Sequence, residues 1–250
     1  MNSRQAYPPS IGVDNVCIDF AGRPLFEHLS FTIKAGICTC ILGPSGCGKS
    51  TLLRMVSGNP EICYSGDISF SPATKSIGWM SQSDLLLPWF TLYENVTLGA
   101  RLRGEMNEHI GAQAMKLLER AGLETYRESL PAKLSGGMRQ RGALLRTLME
   151  ERGLLLMDEP FSALDALTRM KLQDLTAEMT RGKTVLLVTH DPLEALRMAN
   201  EIIVFSGMPA QVKKFRAIPG DTPRQPSSAS MVSLHTELLD MLMTEANESI

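Results

Sequence analysis

Gly43-Pro-Ser-Gly-Cys-Gly-Lys49-Ser50 constrains the fold more than any other stretch of the chain. The apolar run 37–42 (Ile-Cys-Thr-Cys-Ile-Leu) precedes it and reads as a buried strand, and Thr51-Leu-Leu-Arg-Met-Val56 follows it and reads as a helix. The spacing Gly43-x-x-x-x-Gly48-Lys49-Ser50 between a strand and a helix is that of a phosphate-binding loop. Glycines let backbone N–H groups wrap around phosphate oxygens where a β-carbon would obstruct the turn. The helix start adds unpaired donors and the positive end of a dipole. Lys49 supplies a point charge for the terminal phosphates of a nucleoside triphosphate, and Ser50 a hydroxyl for Mg²⁺.

The rest of the 250-residue chain alternates strands and helices as a parallel sheet covered by helices requires. Val13–Phe20 and Leu29–Ile33 read as antiparallel strands ahead of the loop, with Gly66–Phe70 and Ser76–Met80 as two more after its helix. Helical spacing runs through Leu92–Arg103 and Asn107–Ala121, so roughly Gln82 to Leu134 reads as a helical lobe inserted into the α/β core. Helices Gly137–Leu148, Ala166–Thr180 and Pro192–Ala199 then alternate with strands Leu154–Met157, Thr184–Thr189 and Glu201–Phe205. Pro219-Gly-Asp-Thr-Pro-Arg-Gln-Pro-Ser-Ser-Ala229 reads as an exposed connector to a short amphipathic helix over Val232–Met243.

Bulk properties exclude several classes. No apolar run approaches the roughly 20 residues that cross a bilayer, and the start lacks the apolar stretch of a secretory signal. A formal net charge of −2 argues against a general nucleic-acid binder, and Arg139, Arg141 and Arg146 read as a solvated helix face. Five cysteines at no zinc spacing read as thiols in a reducing compartment.

Leu154-Leu-Leu-Met-Asp158-Glu159-Pro160 carries two acids on the carboxyl end of an apolar strand, where ligands sit in such sheets. Asp158 suits a Mg²⁺ site, and Glu159 suits the polarisation of a water that attacks the γ-phosphate. Leu134-Ser135-Gly136-Gly137-Met-Arg-Gln140-Arg141 offers a second anion site at a helix start, through a hydroxyl and free N–H groups. Alone, Ser-Gly-Gly also makes a flexible turn; beside a first phosphate loop, it suggests a nucleotide held between two copies of the chain. His190 stands at the end of a strand, within reach of a γ-phosphate. Phe20 fits either the core or an exposed aromatic platform.

From about Ile11 to Val212 the chain resembles the ATPase subunits of ABC transporters. Gly43–Ser50 is similar to their Walker A loop, Leu154–Glu159 to Walker B, Ser135–Gln140 to the signature (with Met138 where glutamine is usual), Gln82 to the Q-loop, Ser162-Ala-Leu-Asp165 to the D-loop and His190 to the switch histidine. The resemblance implies an α/β P-loop NTPase core with an N-terminal antiparallel β subdomain and an inserted α-helical subdomain, over 11–212, with a C-terminal extension over 213–250. It implies ATP contacts from Phe20, Gly43, Pro44, Ser45, Gly46, Cys47, Gly48, Lys49, Ser50, Thr51, Ser135, Gly136 and Gly137. Mg²⁺ would be held by Ser50, Gln82 and Asp158, and hydrolysis carried by Glu159, Gln82 and His190.

Partners implied are transmembrane permease subunits, a periplasmic or lipid-anchored solute-binding protein, and a second copy in a head-to-tail homodimer; no nucleic acid is expected. The chain is expected on the cytoplasmic face of the membrane. Leu87-Pro-Trp89 and the wording Asp158–Arg169 resemble the nitrate, sulfonate and taurine importer branch. The stretches around Thr147 and Gly99–Gly104 incline towards importers of a hydroxymethylpyrimidine-type thiamine precursor. A soluble ABC-type ATPase, an exporter subunit and a P-loop kinase are the rival classes; the signature weighs against the last.

Overall fold

The computed structural model describes residues 7–20, 22–74 and 76–247. In chain order they form β1 (Ser10–Phe20), β2 (Arg23–Ile33), β3 (Cys38–Leu42), α1 (Lys49–Val56), β4 (Ser65–Ser71) and β5 (Ile77–Met80). The helical stretch follows: α2 (Leu92–Val96), α3 (Leu98–Leu102), α4 (Glu108–Arg120) and α5 (Gly136–Leu148). The chain closes with β6 (Leu154–Asp158), α6 (Ala166–Met179), β7 (Thr184–Thr189), α7 (Pro192–Met198), β8 (Glu201–Ser206), β9 (Gln211–Lys214) and α8 (Ala229–Asn247).

The chain forms two compact units, and it crosses from the first to the second along β5. The first unit runs to Ile77 and adds Gly153–Asp158 and the segment from Arg181 onward. Its antiparallel sheet has the order β2-β1-β4. Its second sheet sets β6, β7, β3 and β8 side by side in parallel, with β9 antiparallel on β8. Strands buried on both faces read as unbroken apolar runs, and β6 and β7 are buried at every residue. Phe205 on β8 joins the two sheets, because Phe26 and Phe31 of β2 meet its ring edge-on at 6.1 and 6.0 Å.

The C-terminal segment belongs to this unit. The connector was expected to be exposed, yet Arg224 is only 7% exposed. Its guanidinium donates to the carbonyls of Leu196 and Ala199, at the end of α7, and to those of Ile218, Pro219 and Gly220. The last turn of a helix leaves carbonyls without intrahelical partners, and one planar cation with five N–H groups serves them here. The closing helix is longer than its apolar pattern, beginning three residues before Val232 and ending four after Met243.

The second unit comprises Gly78–Arg152 and Glu159–Thr180. Helices α2, α4 and α5 pack together in it. Gly142 of α5 lies so close to α2 that a β-carbon there would stand 2.5 Å from Leu92 Cδ1. The helical spacing across Leu92–Arg103 resolves into two short helices broken at Thr97, whose hydroxyl bonds back to the Tyr93 carbonyl at 2.9 Å. A capping box starts α2: Thr91 Oγ1 accepts from Glu94 N–H while the Glu94 carboxylate accepts from Thr91 N–H. Among the described residues, no helix is long and apolar enough to cross a membrane.

Candidate nucleotide site

β3 delivers the chain into Gly43, where only glycine fits. A β-carbon at Gly43 would stand 2.3 Å from the Phe205 carbonyl oxygen. Gly48 precedes α1 at φ 93°, and a β-carbon there would meet the Phe26 ring at 2.7 Å. Neither a capping side chain nor an acid occupies the first turn of α1. Its leading N–H groups thus keep their capacity to bind an anion. Lys49 is 7% exposed and turns back over the loop, its ammonium donating to the carbonyls of Gly43 and Pro44 at 2.8 and 2.6 Å. Pro44, Ser45 and Gly46 are exposed on the loop's outer side, with Ser50 and Thr51 half-buried in the first helical turn. Cys47 is buried, and burial pushes its thiol up despite the Lys49 ammonium beside it.

Parallel strands bring further candidates to the same carboxyl edge. Leu42 is paired with Thr189 of β7, and Val188 with Asp158 of β6. At about 4.8 Å per strand, the Asp158 backbone lies roughly 10 Å from that of Leu42. Asp158 is buried, whereas His190 is exposed one residue beyond β7. Asp191 fixes the next turn by accepting from the N–H groups of Leu193 and Glu194 at the start of α7. Phe20 ends β1 and is 53% exposed, so it is not a core residue. Cys38 and Cys40 lie on β3 behind the loop, and burial raises both thiols, Cys38 to about 12.

The second unit assembles the remaining candidates. Glu159 adopts φ 48°, in the left-handed region. Its carboxylate accepts a long hydrogen bond from Gln82 Nε2 at 3.4 Å. Its carbonyl accepts from Gln140 Nε2 at 3.0 Å and Ser162 Oγ at 3.1 Å. Ser135 is the N-cap of α5, accepting from Met138 N–H at 3.3 Å, with Ser135 and Gly136 exposed. Gly137 passes the Ala163 carbonyl so closely that a β-carbon would stand 3.2 Å from its oxygen.

The arginines of α5 do not form the solvated face expected of them. Arg139 pairs with Asp84 at 3.0 Å and also donates to the Leu134 carbonyl. Arg141 donates to the carbonyls of Gly137 and Ala121, and Arg146 to those of Asp84 and Leu85. Their half-buried guanidinium groups are taken up by main-chain carbonyls instead. The sequence reading also missed Asn95, which is fully buried. Its carboxamide accepts from Leu87 N–H and donates to the carbonyls of Leu87, Phe90 and Thr91, fixing the Leu87-Pro-Trp89 segment. Trp89 stands 68% exposed beside it. A groove of about 500 Å³ is lined by Thr91, Tyr93, Glu94, Thr97, Arg101 and Met106, among others.

The first unit thus carries a glycine-rich strand-to-helix loop and an acid at the end of β6, and the second a glycine-led helix capped by serine. The ABC transporter family model matches residues 26–162. The chain is 40% identical over 236 residues to an uncharacterized ABC transporter ATP-binding protein of Haemophilus influenzae, covering 93% of this chain and 98% of that one. It is 38% identical over 208 residues to the taurine import ATP-binding protein TauB of Yersinia pestis, covering 81% and 82%. A dimeric post-hydrolysis structure of the ATP-binding cassette MJ0796, bound to ADP and Pi, matches with a TM-score of 0.73 at 29% identity over 84% of this chain and 100% of that one. The chain belongs to the ABC transporter family, as an ATP-binding and ATP-hydrolysing subunit.

Proposed function

We propose that the chain energises an importer of a small solute from the cytoplasmic face of a membrane, as a peripheral subunit bound to transmembrane permease partners. The importer assignment draws on the similarity to TauB, a taurine import ATP-binding protein. Taurine-like sulfonates are accordingly the first cargo to test. The stretches that inclined the sequence towards a pyrimidine precursor are engaged in packing: the Thr147 hydroxyl bonds to the Ala143 carbonyl, and Gly99 lies against the Glu150 carboxylate. Hydroxymethylpyrimidine is the second cargo to test.

In the proposed reaction the N–H groups of Gly46–Thr51 and the Lys49 ammonium bind the ATP phosphates, and the Phe20 ring stacks on adenine. Ser50, Gln82 and Asp158 offer only oxygen donors, which suits a hard divalent cation. Mg²⁺, when bound, neutralises phosphate charge. Glu159 orients and polarises the attacking water, with Gln82 holding its carboxylate. His190 donates to the γ-phosphate. Ser135, Gly136 and Gly137 bind the nucleotide of a second copy in a head-to-tail dimer, so that each ATP joins two subunits. The exposed surface around Trp89 receives a permease segment, and a solute-binding protein acts through that permease.

The hydrogen-bonded set of Gln82, Glu159 and Gln140 is the observation that supports this reading best, because it fixes a carboxylate beside a strand-end acid that follows a phosphate loop in the chain. The deciding experiment expresses tagged Glu159→Gln in its native host, adds ATP and Mg²⁺, and identifies what co-purifies from solubilised membranes. A permease with a solute-binding protein is expected, and mass spectrometry of that protein's ligand names the cargo. Recovery only from the soluble fraction overturns the importer reading and favours a soluble ABC-type ATPase.

A further inference from the structure

We infer that Gln140 is a positioning residue for Glu159, tying the start of the serine-capped helix to the catalytic turn; this rests on the proposed role of Glu159. The need for such a residue comes from the backbone. A non-glycine residue held in the left-handed region is strained and persists only where its surroundings over-determine it. Glu159 is held at φ 48°.

Gln140 supplies that determination from both ends of the turn. Its Oε1 accepts from Ala163 N–H at 2.8 Å, which settles the orientation of the amide, since only an oxygen can accept there. Its Nε2 therefore faces the Glu159 carbonyl at 3.0 Å and the Ser162 hydroxyl at 3.2 Å. Ser162 in turn donates to the same Glu159 carbonyl. One carboxamide thus clamps the whole span from Glu159 to Ala163. It does so from a site only 5% exposed, where bonds are not exchanged for water.

The clamp is rigid along α5 as well. Gly137 lies three residues before Gln140, hence on the same helix face, and it is Gly137 that packs tightly against the Ala163 carbonyl, where a β-carbon would stand 3.2 Å from the oxygen. Ser135, Gly137 and Gln140 are parts of one helix start spanning about 7 Å. A shift of that helix start on engaging an anion moves the Glu159 carbonyl with it. The side chain of Glu159 has a separate tether in Gln82. Backbone and carboxylate are positioned by two glutamines from different segments.

The test is a double-mutant cycle in the full-length chain, read by single-turnover ATP hydrolysis, ATP affinity and thermal melting. Gln140→Met keeps length and removes every polar contact. It is expected to lower the hydrolysis rate about 10- to 100-fold, as displacement of a catalytic group by about 1 Å does, with ATP affinity within about 2-fold of wild type. In a Glu159→Gln background the same substitution is expected to have almost no further effect, because residues acting as a unit are not additive. Gln140→Glu, which keeps the acceptor for Ala163 N–H but loses the donor, is expected to fall as far as Gln140→Met. A wild-type rate for a folded Gln140→Met, or an equal loss in both backgrounds, overturns the inference. Should Gln140→Met fail to fold, Ser162→Ala replaces it in the same cycle, with a smaller loss that also vanishes in the Glu159→Gln background; full additivity there overturns the inference too. Unimpaired hydrolysis by Glu159→Gln alone would instead overturn the role given to Glu159.

Discussion

The phosphate loop and the Glu159 turn hold charged groups in place by opposite means. The loop is made by leaving side chains out: Gly43 and Gly48 sit where a β-carbon would meet a carbonyl at 2.3 Å or a phenyl ring at 2.7 Å. The turn is made by bringing side chains in, from Gln140, Ser162 and Gln82. A loop defined by exclusion has almost no alternative geometry once the sheet behind it is packed. A turn defined by hydrogen bonds depends on partners 3 to 77 positions away in the chain. The first design suits binding and the second suits a rate, so substitutions in the two places should separate affinity from turnover.

Glu159→Gln is expected to show the largest effect. Single-turnover hydrolysis should fall about 10²- to 10⁴-fold, the usual weight of a positioned general base, while equilibrium ATP binding is unchanged. Lys49→Ala comes next and acts in the opposite sense. Loss of a charge-assisted phosphate contact of about 1.5–3 kcal/mol should raise the ATP dissociation constant about 10- to 100-fold, measured by titration with a fluorescent analogue. If either variant changed both quantities alike, the division between the regions would fail.

Gly43→Ala tests the excluded volume itself. A forced contact of this kind costs about 1–3 kcal/mol, so a lowered melting temperature with weakened ATP binding is expected, and an unshifted melt would mean the Phe205 carbonyl yields freely. The smallest effect concerns the wall behind the loop. Ser206, next to Phe205, donates to the Glu245 carboxylate at 2.7 Å, and Lys213 forms a short ion pair with the same group. The Lys213 ammonium and then the Ser206 hydroxyl hold that carboxyl below its ordinary value of 4.5. A depressed folded-state value stabilises above 4.5, and that stability is lost as pH falls through the lowered value. Glu245→Gln should therefore melt below wild type at neutral pH, and the gap should narrow as pH falls below 4.5; a gap that does not change with pH would assign it to packing.

The same contrast explains what the sequence disclosed. Glycine spacing is a local code, so the phosphate loop could be read from eight adjacent residues, and Ser135 could be recognised as the cap that α5 indeed carries. Unbroken apolar runs likewise marked β6 and β7. Polar contacts across long separations leave no periodic trace. Gln140 looked like the tail of a motif, Asn95 like an ordinary helix residue, and three arginines like a wet surface. The strand β9 escaped because Gln211-Val-Lys-Lys214 is mostly exposed and lacks alternation. A twelve-residue apolar pattern concealed the break at Thr97, whose hydroxyl competes for the Tyr93 carbonyl.

Arg224 bears on how much of this chain can be removed. The motifs end near His190 and the last strand at Lys214, which invites trimming the protein there for expression. Such a cut would take away the guanidinium that donates to the carbonyls of Leu196 and Ala199. It would also uncover the faces of α7 and β8 on which α8 packs. Shortened versions retaining every nucleotide motif should accordingly accumulate as insoluble material, while versions that keep residues through 245 should not.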